Sequence, residues 1–495
     1  MIVWGISALG HDGSLAVVCD GEIVYAGHTE RYTRIKNDPN LCIEMLGEAL
    51  EYGNPDKVVW YERPWQKKRR QLYARQWNEV FQTANLPSSY IKQFGPIFDK
   101  ISYVGHHRSH AAAGAFTSPY ESACVVVADA IGEWDTISIW DYQAPNKLKK
   151  LKTYQYPHSL GLLYSAFTQR CGLKPNEEEY ILMGMAAYGN PKYTEQIIED
   201  FFYKRDPFKL KINVHKGIRG YLEGADIMDL AASIQLVIET KILKLFNLAM
   251  YYHDKRIKDH YTRRNFVYMG GVALNCVANS LLYDRYKNLW IMPNPGDAGS
   301  SIGAAALGYG GKVNWQGPFL GTNIAGDYPV DAACKALMNG DIIGIASGRA
   351  EFGPRALGNR SLIADPRGNK IKDRMNEIKK RQKFRPFAPA ILKEHVTKYF
   401  DMPKGVSSSP YMQLVAQCKK PLEFPAIIHH DGTSRVQTVT QKENPGFYDL
   451  IKKFYDETGC PMVVNTSLNI KGEPLVNTVE HAKEFEQKHN IKVYS

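Results

Sequence analysis

Two histidines four residues apart are the first residues whose spacing suggests chemistry. In GHHRSHAAAGAF, His106, His107 and His110 lie together, and on a helix His106 and His110 share one face. That spacing lets two imidazoles reach one metal ion. Asp129 ends the apolar run VVVAD, and Asp297 lies in the loop NPGDAG. Two imidazoles with carboxylates and an open position suit iron, manganese or zinc. The same histidine spacing also arises by accident on helix surfaces; aspartates next to glycine-rich turns favour the metal. His11 and Asp12 follow the first apolar run directly, and Lys36 ends the phrase ERYTRIK. A histidine in such a turn can orient a reacting group or act as general base. A loop histidine bonded to backbone is the ordinary alternative.

A second set is built on arginine. It comprises GRAEFGPRALGNRS (348–361), KKRQKFRPFAP (379–389), HHDGTSRVQTV (429–439) and NTSLNIKGEP (465–474). Arg355, Arg360, Arg385 and Arg435 sit among Gly and Pro in loops. Guanidinium groups clamp phosphate and carboxylate through paired N–H donors, and glycine lets backbone N–H groups join them. A solvated basic face would hold more Lys and Glu and fewer Gly, Pro and Phe, so these stretches read as an anion pocket.

The elements that must position these residues follow from patterning. IVWGISAL reads as a buried strand, and SLAVVCDGEIVYAG as a hairpin turning at Asp20-Gly21. Strands are expected at 58–62, 122–128 and 136–141, and a long helix over 228–251. Phe266–Met269 runs into Gly270-Gly271 and then a helix; Leu289–Met292 runs into NPGDAGSS and then SIGAAALGY. Strand, glycine, helix twice over suits phosphate binding, because a helix N-terminus offers free N–H groups and a positive dipole end. The expectation is a duplicated nucleotide-binding α/β domain over 1–315, a Gly/Pro/Asn-rich linker over 316–334, and a second α/β domain over 335–495.

The 495 residues are 44% hydrophobic and 23% charged, which excludes a mainly disordered chain. No apolar run approaches the roughly 20 residues of a membrane helix. The opening MIVWGISALGHDG has no basic n-region or cleavage site, so a cytoplasmic protein without membrane contact is expected. None of the eight cysteines forms a C-x-x-C pair, which argues against a zinc ribbon and for buried free thiols. The formal net charge is +11. Basic residues interleave with aromatics in 63–75, 204–219 and 251–264. Each alone reads as a solvated helix face; together they point to a polyanion, with phosphates on cations and bases on rings.

These phrases together resemble one family. GHDGSLAVV, HHRSHAAAGAF, VADAIGE, LMGMAAYG, MGGVALNC, NPGDAGSSIGAA, GRAEFGPRALGNRSLIADPR, FRPFAPAIL and DGTSRVQTV run in order along nearly the whole chain. The chain resembles the O-carbamoyltransferases of nodulation-factor, cephamycin and tobramycin biosynthesis. It departs from that pattern at Ile181 and at Arg381-Gln382. The resemblance implies an N-terminal domain similar to the actin/Hsp70-like (ASKHA) domain of tRNA threonylcarbamoyladenosine synthases. It implies a C-terminal twisted α/β domain similar to the threonylcarbamoyl-AMP synthases. It further implies that carbamoyl phosphate is the donor, that ATP (with Mg2+) gives a carbamoyl-adenylate, and that an acceptor hydroxyl takes the carbamoyl group.

By the same resemblance His106, His110, Asp129 and Asp297 are metal ligands, usually of Fe2+, with Mn2+ or Zn2+ as alternatives. His11 and Lys36 stand near the transferred group, and Asp12, Gly270, Gly271 and Asn275 belong to the nucleotide site. Arg355, Arg435, Asn465 and either Lys379 or Lys380 hold carbamoyl phosphate and the adenylate, with Arg360 and Arg385 in the same pocket. The acceptor stays open between a hydroxymethylated base such as 5-hydroxymethylcytosine in DNA, which must be flipped or single-stranded, and a small aminoglycoside, nucleoside or oligosaccharide. The fused arginine-rich domain argues against a tRNA threonylcarbamoyladenosine-type component. The oligomeric state stays open, a homodimer being one option.

Overall fold

The computed structural model describes residues 1–83, 86–95, 101–254, 265–368 and 370–495. The chain divides into two compact units, one made of 1–25 with 39–315 and the other of 26–38 with 316–495.

The first unit repeats one sheet topology. Its first sheet holds β1 (Ile2–Ser7), β2 (Ser14–Cys19), β3 (Glu22–His28), β4 (Lys57–Trp60) and β5 (Ile101–Tyr103), in the order β3-β2-β1-β4-β5. The second holds β6 (Ser122–Gly132), β7 (Asp135–Gln143) and β8 (Lys147–Gln155). After a small hairpin, β9 (Phe202–Tyr203) and β10 (Asp206–Leu210), come its last strands, β11 (Phe266–Met269) and β12 (Leu289–Ile291). Its order, β12-β11-β6-β7-β8, is the first order read backwards from the other edge. In each sheet the first strand pairs antiparallel with the second and parallel with the fourth. A duplicated 3-2-1-4-5 sheet is the actin/Hsp70-like α/β architecture, as the motifs lead one to expect. The first strands, β1 and β6, are buried along nearly their whole length, which explains their unbroken apolar runs.

Small residues decide how the helices of this unit meet. Ala111, Ala112, Ala113 and Ala115 of helix His106–Thr117 are buried, as are Ala304, Ala305 and Ala306 of helix Ser300–Tyr309. A Cβ on Gly303 would lie 1.9 Å from the carbonyl oxygen of Ser109. The two helices therefore touch backbone to backbone, and each carries part of the candidate site at its N-terminal end.

The second unit centres on a mixed six-stranded sheet. Its strands are β13 (Phe319–Ile324), β14 (Ile343–Ala346), β15 (Gly348–Glu351), β16 (Arg360–Ala364) and β17 (Ala388–Leu392). They continue with β18 (Phe400–Asp401), β19 (Val415–Cys418), β20 (Thr433–Arg435), β21 (Gln437–Val439), β22 (Met462–Ser467) and β23 (Val493–Tyr494). The main sheet runs β21-β17-β22-β16-β14-β23; β13 pairs with β15, and β18, β19 and β20 form a third, small sheet. Residues 316–334, expected as a linker, contain β13 and enter helix Val330–Met338. Leu320 and Ile324 alternate into the core there, so hydrophobic burial overrides the turn-forming composition.

Residues 26–38, which begin with the last three residues of β3, fold with the second unit although their flanks fold with the first. Lys36, expected in the N-terminal domain, therefore belongs to the second unit; its ammonium pairs with Glu30 at 2.7 Å. Seven cysteines are buried and all eight are free thiols. Among the described residues no helix is long and apolar enough to cross a membrane.

Candidate functional site

Helix His106–Thr117 starts where β5 ends, and its first turn faces inward. His106 is 2% exposed and His110 fully buried, and the turn between them brings their Nε2 atoms to 3.1 Å. Asp129, on β6, places Oδ2 3.2 Å from His106 Nε2 and 3.7 Å from His110 Nε2. Asp297, just ahead of helix Ser300–Tyr309, places Oδ1 3.3 Å and 3.2 Å from the same two nitrogens. The four donor atoms lie within 4.8 Å of one another. Metal–ligand bonds of about 2.0–2.2 Å separate adjacent ligand atoms by roughly 3.0–3.5 Å, so the spacing fits a single small divalent ion. Two ring nitrogens and two carboxylates are the donor set of iron, manganese or zinc.

Electrostatics agree with a site made for a cation. Burial opposes ionisation of Asp129 and Asp297, yet the two histidines hold both carboxyls below the usual range. Burial opposes charging of His106 as well, but Asp297, Asp129 and Glu62 outweigh it and hold the ring well above its ordinary value. His110 is raised in the same way by Asp129 and Asp297. His107 points elsewhere: its Nδ1 meets Ser138 Oγ at 2.7 Å, and burial beside His106 pushes it down to about 3.

Neighbouring groups hold Asp129 and His106 in place. The backbone N–H of Gly271 donates to Asp129 Oδ1 at 3.1 Å, which leaves Oδ2 for the histidines. Glu62 Oε2 lies 3.8 Å from His106 Nδ1, and its other oxygen accepts from Lys67 at 2.7 Å. Glu133 accepts from the backbone N–H of both Arg63 and His106, and the Arg63 guanidinium grips both its oxygens. Glu62 and Glu133 escape a reading of motifs. The signal for Glu62 is a carboxylate closing the apolar strand VVWYE; Glu133 sits 27 residues from His106 and 70 from Arg63, and its one local signal is that it closes the phrase VADAIGE.

The remaining sequence-derived residues of this unit divide. His11 Nδ1 pairs with Asp12 Oδ2 at 3.0 Å, and that bond, opposed by burial and helped by Asp297, raises the ring to about 9. His11 is therefore protonated at neutral pH and suits a donor better than a general base. Gly270 turns the chain at φ +92° beside Gly271. Asn275 caps helix Cys276–Arg285 by accepting from the Ala278 N–H, and its amide is paired both ways with Gln235. Its role as seen is to shape the loop.

In the second unit β22 is the organising strand. Asn465 donates to the carbonyl of Ala356 at 3.1 Å and to Gln437 Oε1 at 2.7 Å, and Gln437 donates to the carbonyl of Leu357. This knot ties together the loop carrying Arg355, the strand after Arg435, and Asn465 itself. Two residues on, Ser467 and then Asn469 accept from Lys379 Nζ, which is buried. Burial, with Arg381 and Arg385 nearby, holds the Lys379 ammonium well below the usual lysine value. Lys379 is thus held by Ser467 and Asn469, whereas Lys380 is exposed.

Arg360 corrects an expectation. It is fully buried, and its guanidinium donates to the carbonyls of Asn477, Ser347, Gly348, Asn359 and Thr322. Five backbone carbonyls occupy it, so it braces the loop rather than binding an anion. Arg355, Arg385 and Arg435 are partly exposed and keep access to solvent.

Comparison with known proteins agrees with this division of the chain. Residues 65–306 match the family described as carbamoyltransferase N-terminus, and residues 334–495 match carbamoyltransferase C-terminus. An uncharacterized protein of Synechocystis, sll1178, is 34% identical over 97% of this chain and 93% of its own. Nodulation protein NolNO of Sinorhizobium fredii is 30% identical over 95% of this chain and 76% of its own. The 3'-hydroxymethylcephem-O-carbamoyltransferase of Amycolatopsis lactamdurans is 26% identical over 94% of this chain and 93% of its own.

Proposed function

Since this chain belongs to the carbamoyltransferase family, and is thus an enzyme that moves a carbamoyl group to a hydroxyl, we propose that its donor is carbamoyl phosphate and its activated intermediate a carbamoyl-adenylate. The observation that carries this reading is the pairing of two chemistries in one chain. One unit holds a buried two-histidine, two-aspartate centre in a duplicated α/β fold of the kind that binds nucleotide. The other holds Arg355 and Arg435 beside the strand that carries Asn465, with Lys379 bracing its end; the two guanidinium groups suit phosphate and carboxylate.

In the second unit water cleaves carbamoyl phosphate to carbamate and inorganic phosphate, with Arg355 and Arg435 binding the departing phosphate. A carbamate oxygen then attacks the α-phosphorus of ATP, the bond to the bridging oxygen breaks, and pyrophosphate leaves. In the first unit the acceptor oxygen forms a bond to the carbamoyl carbon. The bond from that carbon to the AMP phosphate oxygen breaks, AMP leaves, and the hydroxyl proton is released to solvent. His11, charged through Asp12, donates to the carbonyl oxygen as negative charge builds there. His106, His110, Asp129 and Asp297 would hold a divalent ion, Fe2+ in the first instance, which would bind and polarise nucleotide phosphate oxygens. Carbamate is labile in water, so the arginine pocket must also limit hydration.

For the acceptor we favour a hydroxyl on a hydroxymethylated base such as 5-hydroxymethylcytosine in DNA, on the strength of the +11 charge and the basic-aromatic stretches. A small hydroxyl compound is the second reading, favoured by the antibiotic-type relative. The test is mass spectrometry of nucleosides from DNA containing 5-hydroxymethylcytosine, after incubation with enzyme, ATP, carbamoyl phosphate and Fe2+. One added carbamoyl group on the modified nucleoside is the expected result. AMP and pyrophosphate without a modified nucleoside would keep the adenylate route and move the acceptor to small molecules.

A further inference from the structure

Two basic-aromatic stretches far apart in sequence meet on one patch beside the metal centre. Tyr73, at the end of helix Pro64–Tyr73, lies 5.5 Å from the ring of Trp134 and 6.5 Å, edge-on, from that of Tyr156. Tyr156 in turn meets His215 edge-on at 5.8 Å, and its hydroxyl is held by Asn213. Tyr73 comes from the stretch 63–75 and His215 from 204–219. Tyr73 is 66% exposed although it touches two aromatic rings, and Trp65, on the same helix, is 70% exposed. Ring surface left open in this way is available for stacking.

The patch is joined to the centre through β6 and β7. Trp134 and Glu133 form the two-residue turn between Gly132 and Asp135. Gly132 packs on the His106 ring, and Glu133 binds the His106 backbone N–H. Two residues of chain span at most about 7 Å, so the ring platform starts within about one nucleoside length of the metal ligands. The same two stretches supply exposed cations, Arg69, Arg75, Lys216 and Arg219. The third stretch, 251–264, lies outside the described residues from 255 onward and plays no part here.

We propose that Tyr73 and Trp134, backed by the buried Tyr156 ring and by His215, form the acceptor subsite, stacking a planar base of a single-stranded or flipped-out nucleic acid whose phosphates lie along Arg69, Arg75, Lys216 and Arg219. Rings without a hydrogen-bonding cleft suit the π-face that every base presents, and the cations suit its backbone. The exposed charged groups that these two stretches supply are cationic, which suits a phosphate backbone better than a sugar-like small acceptor. The subsite rests on the carbamoyl-transfer reading above, because it is that reaction which needs a hydroxyl beside the centre.

The test is equilibrium binding of a labelled single-stranded oligonucleotide carrying one 5-hydroxymethylcytosine to the full-length, Fe2+-loaded protein, followed by anisotropy over a salt series. The expected result is binding that weakens steeply with salt, a Kd raised about tenfold or more in Tyr73→Ala, and recovery in Tyr73→Phe. Arg75→Gln with Arg219→Gln should lower the salt slope. Equal affinity of wild type and Tyr73→Ala would overturn the subsite, as would absence of binding by the wild type at low salt. Pyrophosphate release by the wild type from ATP and carbamoyl phosphate, measured alongside, separates the two failures. Pyrophosphate without oligonucleotide binding sinks the subsite alone, whereas absence of pyrophosphate sinks the adenylate reading.

Discussion

Gly132 lies against His106 so closely that a Cβ at position 132 would sit 2.1 Å from Cδ2 of the imidazole. No rotation of a buried ring relieves a contact of that length, because His106 is also held by Asp129 and by its backbone bond to Glu133. Gly132→Ala should therefore push the ring off the other three donors. Bound metal, measured by elemental analysis after dialysis, should fall about ten- to a hundredfold in affinity, the scale seen when a ligand loses its support. His110→Ala should remove the metal outright. Unchanged metal content in both variants would mean that the four donors are not the metal site.

His11 should titrate far from an ordinary histidine. The Asp12 carboxylate raises it from 6.5 to about 9 against the opposing effect of burial. A raised value means that the folded state favours the charged ring. The resulting stabilisation is complete below pH 6.5, declines as pH rises, and is gone above about 9. In chelator-treated protein, NMR should show the His11 ring protonated at pH 7.5, and Asp12→Asn should return its midpoint towards 6.5. A His11 midpoint near 6.5 in the unaltered chain would remove its assigned role as a donor to the carbonyl oxygen.

Arg355 and Arg360 stand in one phrase, GPRALGNRS, and should behave oppositely. Arg360→Met would take a donor from five backbone carbonyls, and a buried carbonyl left unpaired costs about 1–3 kcal/mol, so thermal unfolding should drop sharply. Arg355 is partly exposed, and Arg355→Ala should fold normally. It should lose pyrophosphate release from carbamoyl phosphate and ATP while still transferring the carbamoyl group from supplied carbamoyl-adenylate. Loss of both half-reactions with an intact fold would show that Arg355 does not belong to the first step.

These contrasts also mark what a sequence carries. β1, the hairpin at Asp20-Gly21 and the strand into Gly270-Gly271 are local, written in alternation and turn residues, and they stand where patterning puts them. Residue types and spacing likewise single out His106, His110, Asp129 and Asp297, whose donor atoms the fold brings within 4.8 Å. Other features depend on partners far along the chain. Little local separates Arg360 from Arg355, because two of the five carbonyls that hold the Arg360 guanidinium, those of Thr322 and Asn477, lie 38 and 117 residues away. Nothing local shows that 26–38 folds with the second unit, since Arg31 and Arg34 find their carbonyl partners 320 to 441 residues onward. Glu133 and Glu62 are legible only once the His106 ring is in place.

Glu351 is where the arginine loop is anchored, and the last prediction concerns it. Its carboxylate is buried, and Oε1 accepts from the backbone N–H of Leu357, Asn359 and Arg360 at 2.7, 2.9 and 3.2 Å. Arg31 fixes the near end of the same loop by donating to the carbonyls of Glu351 and Gly353. Between these anchors the chain carries Arg355 outward. Glu351→Ala leaves three buried N–H groups without an acceptor, so the loop must move to hydrate them. The KM for carbamoyl phosphate should rise at least about tenfold, read by pyrophosphate release. Glu351→Gln keeps an oxygen where Oε1 stands and should keep KM within about threefold of wild type, even though it lowers the melting temperature. That split separates a residue that positions Arg355 from one that only stabilises the fold. If both variants lose stability with KM unchanged, the loop takes its shape from the Asn465–Gln437 knot instead, and Glu351 has no part in carbamoyl phosphate binding.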